Sequence, residues 1–518
     1  MSCAVLAVAA WTAAGDLPAL VALLHADGSA LGTPPYRADD LASPRTGTIA
    51  GLDRDAPATA LLERVCRDVL GDSVPERTGL VVGTSSGALA GPWERWHAAH
   101  LAGEPLPEPD GRDGPARDVA RRLGLGGPVA TLSVACVSGT AALAVGEGWL
   151  RDGLCDRVIC AGVDALSRFV HAGFAGLGAL SAGDPRPFTA DHDGMLLGEG
   201  AAALLLARDG ERPLAWLRGV GLSTDAAHAT TPDPAAGGAI RALVAALERA
   251  EILAEAVDGV SVHGTGTPSS DAMESTALGH VFPAGIPSIH VVKPAIGHTL
   301  GAAGAIEAAV VVDALVRGRL PPDPTGPAAG VPHVVASMSS AFGGMNAAIV
   351  FSDGPGPSPA PGGVATGRTA DVVDHPDAWP DAPSAFHRAP PYVRAGLLAV
   401  RAMLADLPAG TIALVLSSAR GCRAVDLAYH ERLLREGPAR ASRRDFVATL
   451  PAAPLTEAAM LWRIHGPILA FVGPTDPVAE AGRLVRHGHA TAALALRVDH
   501  EPGAPATATA TLLVGVPA

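Results

Sequence analysis

The chain has 518 residues, 48% of them hydrophobic and 4% aromatic, with a formal net charge of −14; this length predicts more than one domain and a large buried core. An acidic balance without a basic stripe interleaved with aromatics argues against a nucleic-acid binder. Six scattered cysteines, none in a close metal-type pair, argue against a disulfide scaffold or a zinc module and fit a reducing compartment.

The N-terminus is apolar but carries no basic residue before Arg37, so it lacks the charged start of a secretory leader. Ala4–Ala10 predicts a strand, Leu17–His25 and Ala58–Leu70 helices, and Thr78–Gly83 a second strand entering the turn Thr84-Ser85-Ser86-Gly87. Leu101–Gly114, rich in Pro, Gly and charge, reads as a surface loop, and Arg117–Leu123 as a short helix. Leu123–Gly146 carries no charge, yet its Gly-Gly-Pro and Ser-Gly-Thr make strand plus helix a better reading than a membrane span. The expected location is the cytoplasm.

Between Gly127 and Leu150 the pattern is a buried strand (Val129–Val134), a tight elbow at Ser138-Gly139-Thr140 and an Ala-rich helix. Cys136 sits in that elbow. Unpaired backbone N–H groups and the positive helix end would favour a thiolate there and could hold a developing oxyanion; the competing reading is a buried, inert cysteine. Further on, Asp156–Gly162 and Ala201–Leu206 read as strands on either side of the polar loop Arg186–Gly194.

A second series follows: strand Leu214–Leu222, helix Gly237–Ala250, strands Gly259–His263 and Val291–Lys293, helix Gly304–Arg317, and strands Val334–Ser337 and Ala347–Phe351. This alternation predicts an α/β fold with parallel sheets covered on both faces, built as two βα halves meeting near residue 210. Beyond Phe351 the chain is dense in Gly and Pro to Arg368 and polar through Asp371–Pro383, which predicts a linker. Globular texture returns at Phe386.

The C-terminal region echoes the first half. Thr411-Ile-Ala-Leu-Val-Leu-Ser-Ser resembles Thr78-Gly-Leu-Val-Val-Gly-Thr-Ser, and Arg463-Ile-His-Gly-Pro-Ile-Leu resembles Gly124-Leu-Gly-Gly-Pro-Val-Ala. Arg483–Asp499 then aligns without gaps on Gly148–Asp164. Where Cys136 would recur the chain reads Val472-Gly-Pro-Thr-Asp-Pro477, so this unit is expected to lack a nucleophile.

Three segments of the second half carry polar groups where an α/β sheet presents them at strand ends. They are His263-Gly-Thr-Gly-Thr-Pro-Ser-Ser-Asp271-Ala-Met-Glu274, Lys293-Pro-Ala-Ile-Gly-His298-Thr-Leu-Gly-Ala-Ala-Gly304 and Ser339-Ser-Ala-Phe342-Gly-Gly-Met-Asn346. Lys293 is the only lysine among 38 basic residues, which points to a need for a compact ammonium at that position rather than a planar fork.

Together with Val-Ala-Cys136-Val-Ser-Gly, these segments resemble the β-ketoacyl-acyl-carrier-protein synthases, the ketosynthases of the thiolase fold, from about residue 3 to residue 352. The resemblance implies two duplicated halves in a layered αβαβα arrangement: residues 1–210 carrying the nucleophile, 211–352 carrying the histidines, a linker at 353–385, and a truncated ketosynthase-like unit at 386–518. It implies Cys136, His263 and His298 as the catalytic set, Lys293 paired with Glu274 behind them, and an oxyanion hole from the backbone N–H groups of Cys136 and Phe342. Thr265, Thr267, Ser340, Phe342 and Met195 are the expected substrate-binding and gating residues.

The chemistry implied is decarboxylative Claisen condensation: the cysteine takes an acyl group from a carrier thioester, and the imidazoles stabilise the enolate formed from malonyl-carrier. No metal or organic cofactor is expected. The implied partners are acyl carrier protein with phosphopantetheine-linked acyl and malonyl groups, and a homodimeric or heterodimeric ketosynthase-like subunit. Two alternatives are a carrier-dependent acyltransferase and a non-catalytic, pocket-shaping partner of another ketosynthase. Against the family pattern, Thr189 and His192 replace an Asp and an Arg, while Asp193 and Glu199 remain, and the first aromatic of the gating loop is lost. A carrier-docking patch is expected around Arg117, Arg121 and Arg122 or Arg151.

Overall fold

The computed structural model describes residues 2–516 except 42, 44, 72–75, 92, 106–110, 327–329, 358–360 and 502; part of the loop expected over Leu101–Gly114 therefore lies outside the described residues. One five-strand arrangement occurs three times. Strands β1 (Cys3–Thr12), β2 (Thr78–Gly83), β3 (Val129–Leu132), β4 (Arg157–Asp164) and β5 (Gly200–Ala207) lie in the order β1-β5-β4-β2-β3. β2 is parallel to β3 and β4, and β5 is antiparallel to β4 and β1.

Strands β6 (Ala215–Thr224), β7 (Gly259–Ser261), β8 (Ser288–His290), β9 (Val334–Ala341) and β10 (Met345–Ser352) repeat it as β6-β10-β9-β7-β8. The third copy uses β11 (Gly363–Val373), β12 (Ile412–Ser418), β13 (Ile468–Val472), β14 (Ala492–Asp499) and β15 (Thr507–Val516), ordered β11-β15-β14-β12-β13. Strand directions agree in all three.

Helices α1 (Pro57–Leu70) and α2 (Gly114–Leu123) cover one face of the first copy; Leu61, Leu62, Val65 and Val119 bury against Leu80 and Val82 because α1 carries its apolar residues at helical spacing. Helix α3 (Ser138–Arg151) lies on the opposite face and is buried from Ser138 to Leu150. Helix α4 (Arg168–Leu177) follows β4. In the second copy α5 (Gly237–Ala250) and α6 (Pro268–Val281) form the outer cover, and α7 (Ala303–Arg317) is the buried inner helix.

The inner helices meet through small residues. A β-carbon on Gly139 would stand 2.8 Å from Gly301 O, and one on Gly304 would stand 1.9 Å from Thr140 Oγ1. Outer helices, sheet, inner helices, sheet and outer helices thus make five layers.

The third copy docks on the first. Helices α8 (Pro391–Arg401), α9 (Arg423–Glu436), α10 (Arg443–Ala448), α11 (Ala453–Trp462) and α12 (Pro477–Arg486) surround its strands, and its apolar residues share one core with Leu132, Val134 and Trp149. β13 pairs antiparallel with β3, setting Phe471 opposite Leu132 and Val472 opposite Thr131; Ser133 N donates to Ala470 O at 2.8 Å. The echo that matches Arg463–Leu469 to Gly124–Ala130 carries Leu132 onto Phe471, so equivalent residues face each other, as they do at a two-fold axis. Likewise, the ungapped match of Arg483–Asp499 to Gly148–Asp164 carries the bounds of β4 onto those of β14.

Polar ties cross the same boundary. Arg112 donates to both carboxylate oxygens of Asp426 (2.6 and 3.0 Å), to Thr449 O (2.8 Å) and to Ser85 O (2.9 Å). Trp149 Nε1 donates to Glu480 Oε1 at 3.0 Å, and Asp152 holds Arg486 and His487.

Two expectations are corrected. The segment read as a linker over 353–385 contains β11, so the third copy begins near Gly363. This strand is an edge, paired among the described residues with β15 alone and largely exposed, so it needs none of the apolar alternation that marks a half-buried strand. The expected strand Val291–Lys293 is displaced: β8 ends at His290, and Lys293 opens a helical turn to Ile296. Among the described residues no helix is long and apolar enough to cross a membrane, and all six cysteines are free and buried.

Candidate active site

Cys136 follows β3 in an elbow where Ala135 has φ 52°, a left-handed conformation that a β-carbon disfavours. Ser138 clamps it, its Oγ donating to Ala135 O at 2.6 Å and accepting from Val134 N at 2.9 Å. The thiol is thereby held just ahead of α3, and Cys136 is 7% exposed. His298, beyond Gly297 with its φ of 76°, places Nε2 3.1 Å from Cys136 Sγ. The His263 ring lies 5.3 Å from that of His298 and nearly perpendicular, at 88°. Cys136 and both histidines line one cavity of about 320 Å³, together with Met195, Thr265, Thr267, Ser340 and Phe342.

The expected thiolate is corrected. Burial pushes the Cys136 thiol up to about 12, against the pull of the Lys293 charge; seclusion from water outweighs the helix end. Burial, reinforced by Lys293, holds both His263 and His298 well below the ordinary imidazole value.

The expected Lys293–Glu274 pair is also corrected. Lys293 Nζ lies 2.5 Å from Glu307 Oε1, donates to His263 O and reaches His263 Nδ1 at 3.2 Å. An ammonium only donates, so His263 Nδ1 accepts and its proton sits on Nε2. Glu274 instead accepts from His263 N at 2.6 Å and Gly264 N at 2.7 Å, fixing the backbone that carries His263; burial raises its carboxyl to about 7. Glu307 had one signal in the sequence, as the only charged residue between Leu300 and Val312.

Other carboxylates brace the loops. Asp164 accepts from Thr84 Oγ1, Ser85 N, Ser86 N and Gly301 N, tying the β2 turn to the His298 segment. Glu199 holds Arg54, Ile49 N and Leu166 N. His192, in the place of the family's arginine, puts Nδ1 2.8 Å from Asp271 Oδ2, and Asp271 also accepts from Phe188 N and Gly266 N. Asp193 accepts from Ala182 N.

A second, narrow cavity of about 40 Å³ is lined by Cys136, Phe174 and Phe342 and by Phe446, Val447, Thr449 and Leu450 of the third copy. Phe342 stacks on Phe174 at 5.5 Å, and Phe446 meets Phe174 edge-on at 5.6 Å. No sequence signal pointed to these C-terminal residues. In the region where a carrier patch is expected, Arg117, Arg121, Arg122 and Arg151 are paired with Asp113, Asp118, Glu63 and Glu147, Glu63 being shared with Arg67.

Residues 66–212 match the family profile described as Beta-ketoacyl synthase, N-terminal domain, and residues 214–325 the one described as Beta-ketoacyl synthase, C-terminal domain. The chain is 32% identical over 343 residues to the Tetracenomycin polyketide synthase ketoacyl synthase alpha subunit of Streptomyces glaucescens, covering 57% of this chain and 80% of that one. It spans less than two thirds of several other curated relatives it matches.

Among solved structures, the ketosynthase ApeO in complex with its chain length factor ApeC from Xenorhabdus doucetiae matches 68% of this chain and 98% of that one at 28% identity and TM-score 0.60. The PfaC Keto synthase-Chain length factor shares the fold over 99% of this chain and 78% of that one, at 16% identity and TM-score 0.79. With Cys136, His263 and His298 in one cavity and two family profiles meeting at the junction of the first two copies, the chain belongs to the β-ketoacyl synthase family.

Proposed function

We propose that this protein condenses a carrier-bound acyl chain with malonyl-carrier by decarboxylative Claisen chemistry, as in fatty-acid or polyketide assembly. The observation that carries this reading is the 3.1 Å approach of His298 Nε2 to Cys136 Sγ, with His263 set across it in the same cavity.

In loading, the Cys136 proton passes to His298 Nε2, and sulfur forms a bond to the acyl carbon. The bond from that carbon to the carrier's sulfur breaks, and the departing thiolate takes the proton. In condensation, malonyl loses carbon dioxide and its bond electrons form an enolate on the thioester oxygen. The N–H that neutral His263 carries on Nε2 stabilises that oxyanion. The enolate carbon then bonds to the acyl carbon, and Cys136 sulfur leaves. Lys293 and Glu307 act through His263, keeping the proton on its Nε2.

The third copy has no nucleophile at the equivalent of Cys136, and four of its residues line the narrow cavity that Cys136 also lines. Because it pairs with the β3 edge, we assign to it, within the same chain, the pocket-shaping role expected of a partner subunit. The names of the solved relatives, ketosynthases with chain length factors, support this reading.

The test is to incubate the purified protein with acyl-carrier and malonyl-carrier, locating the acyl adduct by mass spectrometry and measuring carbon dioxide release. An adduct on Cys136 with carbon dioxide release is expected. Loading without release would favour the acyltransferase alternative, and an adduct on another cysteine would overturn the assignment of the nucleophile.

A further inference from the structure

The mouth of the catalytic cavity is built from two parts of the chain. Thr230, Thr231, Thr265, Thr267 and Ser269 line it from the first two copies, and Arg443 of α10 lines it from the third. The segment carrying Arg443 lies against α4: Arg443 Nε donates to Gly176 O at 2.8 Å, and a β-carbon on Gly176 would stand 3.0 Å from Ala441 O. Arg440, Arg443 and Arg444 are all exposed. Among the described residues none of the three is in a salt bridge, whereas the arginines around α2 are paired with acids.

In a protein with net charge −14, Arg443 lines the cavity together with one acid, Asp193, and the exposed Arg440 and Arg444 flank it in the sequence, the charge of Arg444 being felt by Glu457; this is a local excess of positive charge. Such a patch steers an acidic partner towards the cavity against the general repulsion. A guanidinium facing several hydroxyls also suits a phosphate ester, which accepts charge-assisted hydrogen bonds from both.

Building on the condensing-enzyme reading, we infer that the third copy is the docking platform for the carrier protein. Arg443 receives the phosphate of its phosphopantetheine arm at the cavity mouth, and Arg440 and Arg444 meet acidic side chains of the carrier. The copy without a nucleophile would thus select what reaches Cys136.

The test uses the full chain and two acyl donors: acyl-carrier protein, and the acyl thioester of N-acetylcysteamine, which has neither phosphate nor protein. For Arg443→Gln, and for Arg440→Glu combined with Arg444→Glu, kcat/KM for loading Cys136 from the carrier should fall at least about tenfold more than loading from the small thioester. Arg443→Lys, which keeps the charge, should recover part of the loss. Loading of the wild type from the carrier should also weaken as salt rises from about 0.05 to 0.5 M.

Equal losses with both donors, or salt-independent carrier loading with unchanged variants, would overturn the platform while leaving the condensing reading intact. Failure of wild-type protein to load from either donor would overturn that reading, and this inference with it.

Discussion

Lys293 and Glu307 form a buried ion pair, 2.5 Å apart and 4% and 1% exposed at their side chains, directly behind His263. Removing one partner leaves the other charge buried without compensation, so Glu307→Gln should cost about 3 kcal/mol of stability. Urea denaturation measures this. In protein that remains folded, the pH profile of decarboxylation should shift, because the ammonium that fixes the His263 tautomer loses its anchor. Lys293→Arg should be damaging as well, since a planar fork cannot replace the compact ammonium.

The two histidines stand differently to the thiol, and their variants should separate. His298 touches Cys136 Sγ, so His298→Ala should slow both acyl loading and decarboxylation by about 100-fold or more. His263→Ala should cut decarboxylation by a similar factor while affecting loading much less. Single-turnover loading followed by mass spectrometry, beside carbon dioxide release, gives both numbers.

Glu274 sets a pH dependence of stability. Its carboxyl is raised from 4.5 to about 7 by burial, so between those values the folded protein binds more protons than the unfolded chain. Stability should therefore fall as pH rises through that window and level off above it. Glu307 and Asp164, also raised by burial, act in the same direction. Because the buried His263 and His298 are lowered and act in the opposite direction, the sign is read from the difference between wild type and Glu274→Gln in denaturation midpoint, which should be more in favour of the wild type at pH 5 than at pH 8.

Phe446 lines the narrow cavity, and a β-carbon on Gly173 would stand 2.4 Å from its ring. Phe446→Ala should lengthen the space available to an acyl group on Cys136 at a stability cost of about 3 kcal/mol. Competition between short and long acyl-carriers should then shift towards the longer chain, as read by intact-mass analysis of the acyl-enzyme.

The Arg112–Asp426 pair joins the first and third copies inside the protein. Arg112→Met alone leaves a buried carboxylate and should cost about 3 to 5 kcal/mol, whereas Arg112→Met with Asp426→Leu should recover most of that loss. A double-mutant cycle by denaturation measures the coupling.

Much of the site was legible because chemistry-bearing residues follow directly on apolar runs, as His263 follows β7 and Cys136 follows β3. The third copy was legible where strands are buried, in β12, β13 and β14. It was illegible at β11, whose Gly, Thr, Arg and Asp residues suit an exposed edge and a loop equally. Glu307 went unread as the lysine's partner because the family resemblance pointed to Glu274, and both acids lie within reach of the same strand end. The thiol's state was misjudged because a helix end is visible in a sequence, whereas the seclusion of Cys136 from water depends on residues more than 150 positions away, such as His298 and Phe342. The same distance hid Phe446 and Arg443.

The Leu132–Phe471 contact has a thermodynamic consequence. Where two separate subunits meet about such an axis, their union follows mass action and is lost on dilution. Here the two sides are covalently joined, so the encounter is intramolecular, at an effective concentration on the order of millimolar. The stoichiometry is fixed at one to one, subunit exchange with a foreign copy is excluded at this edge, and the narrow cavity persists however dilute the protein becomes.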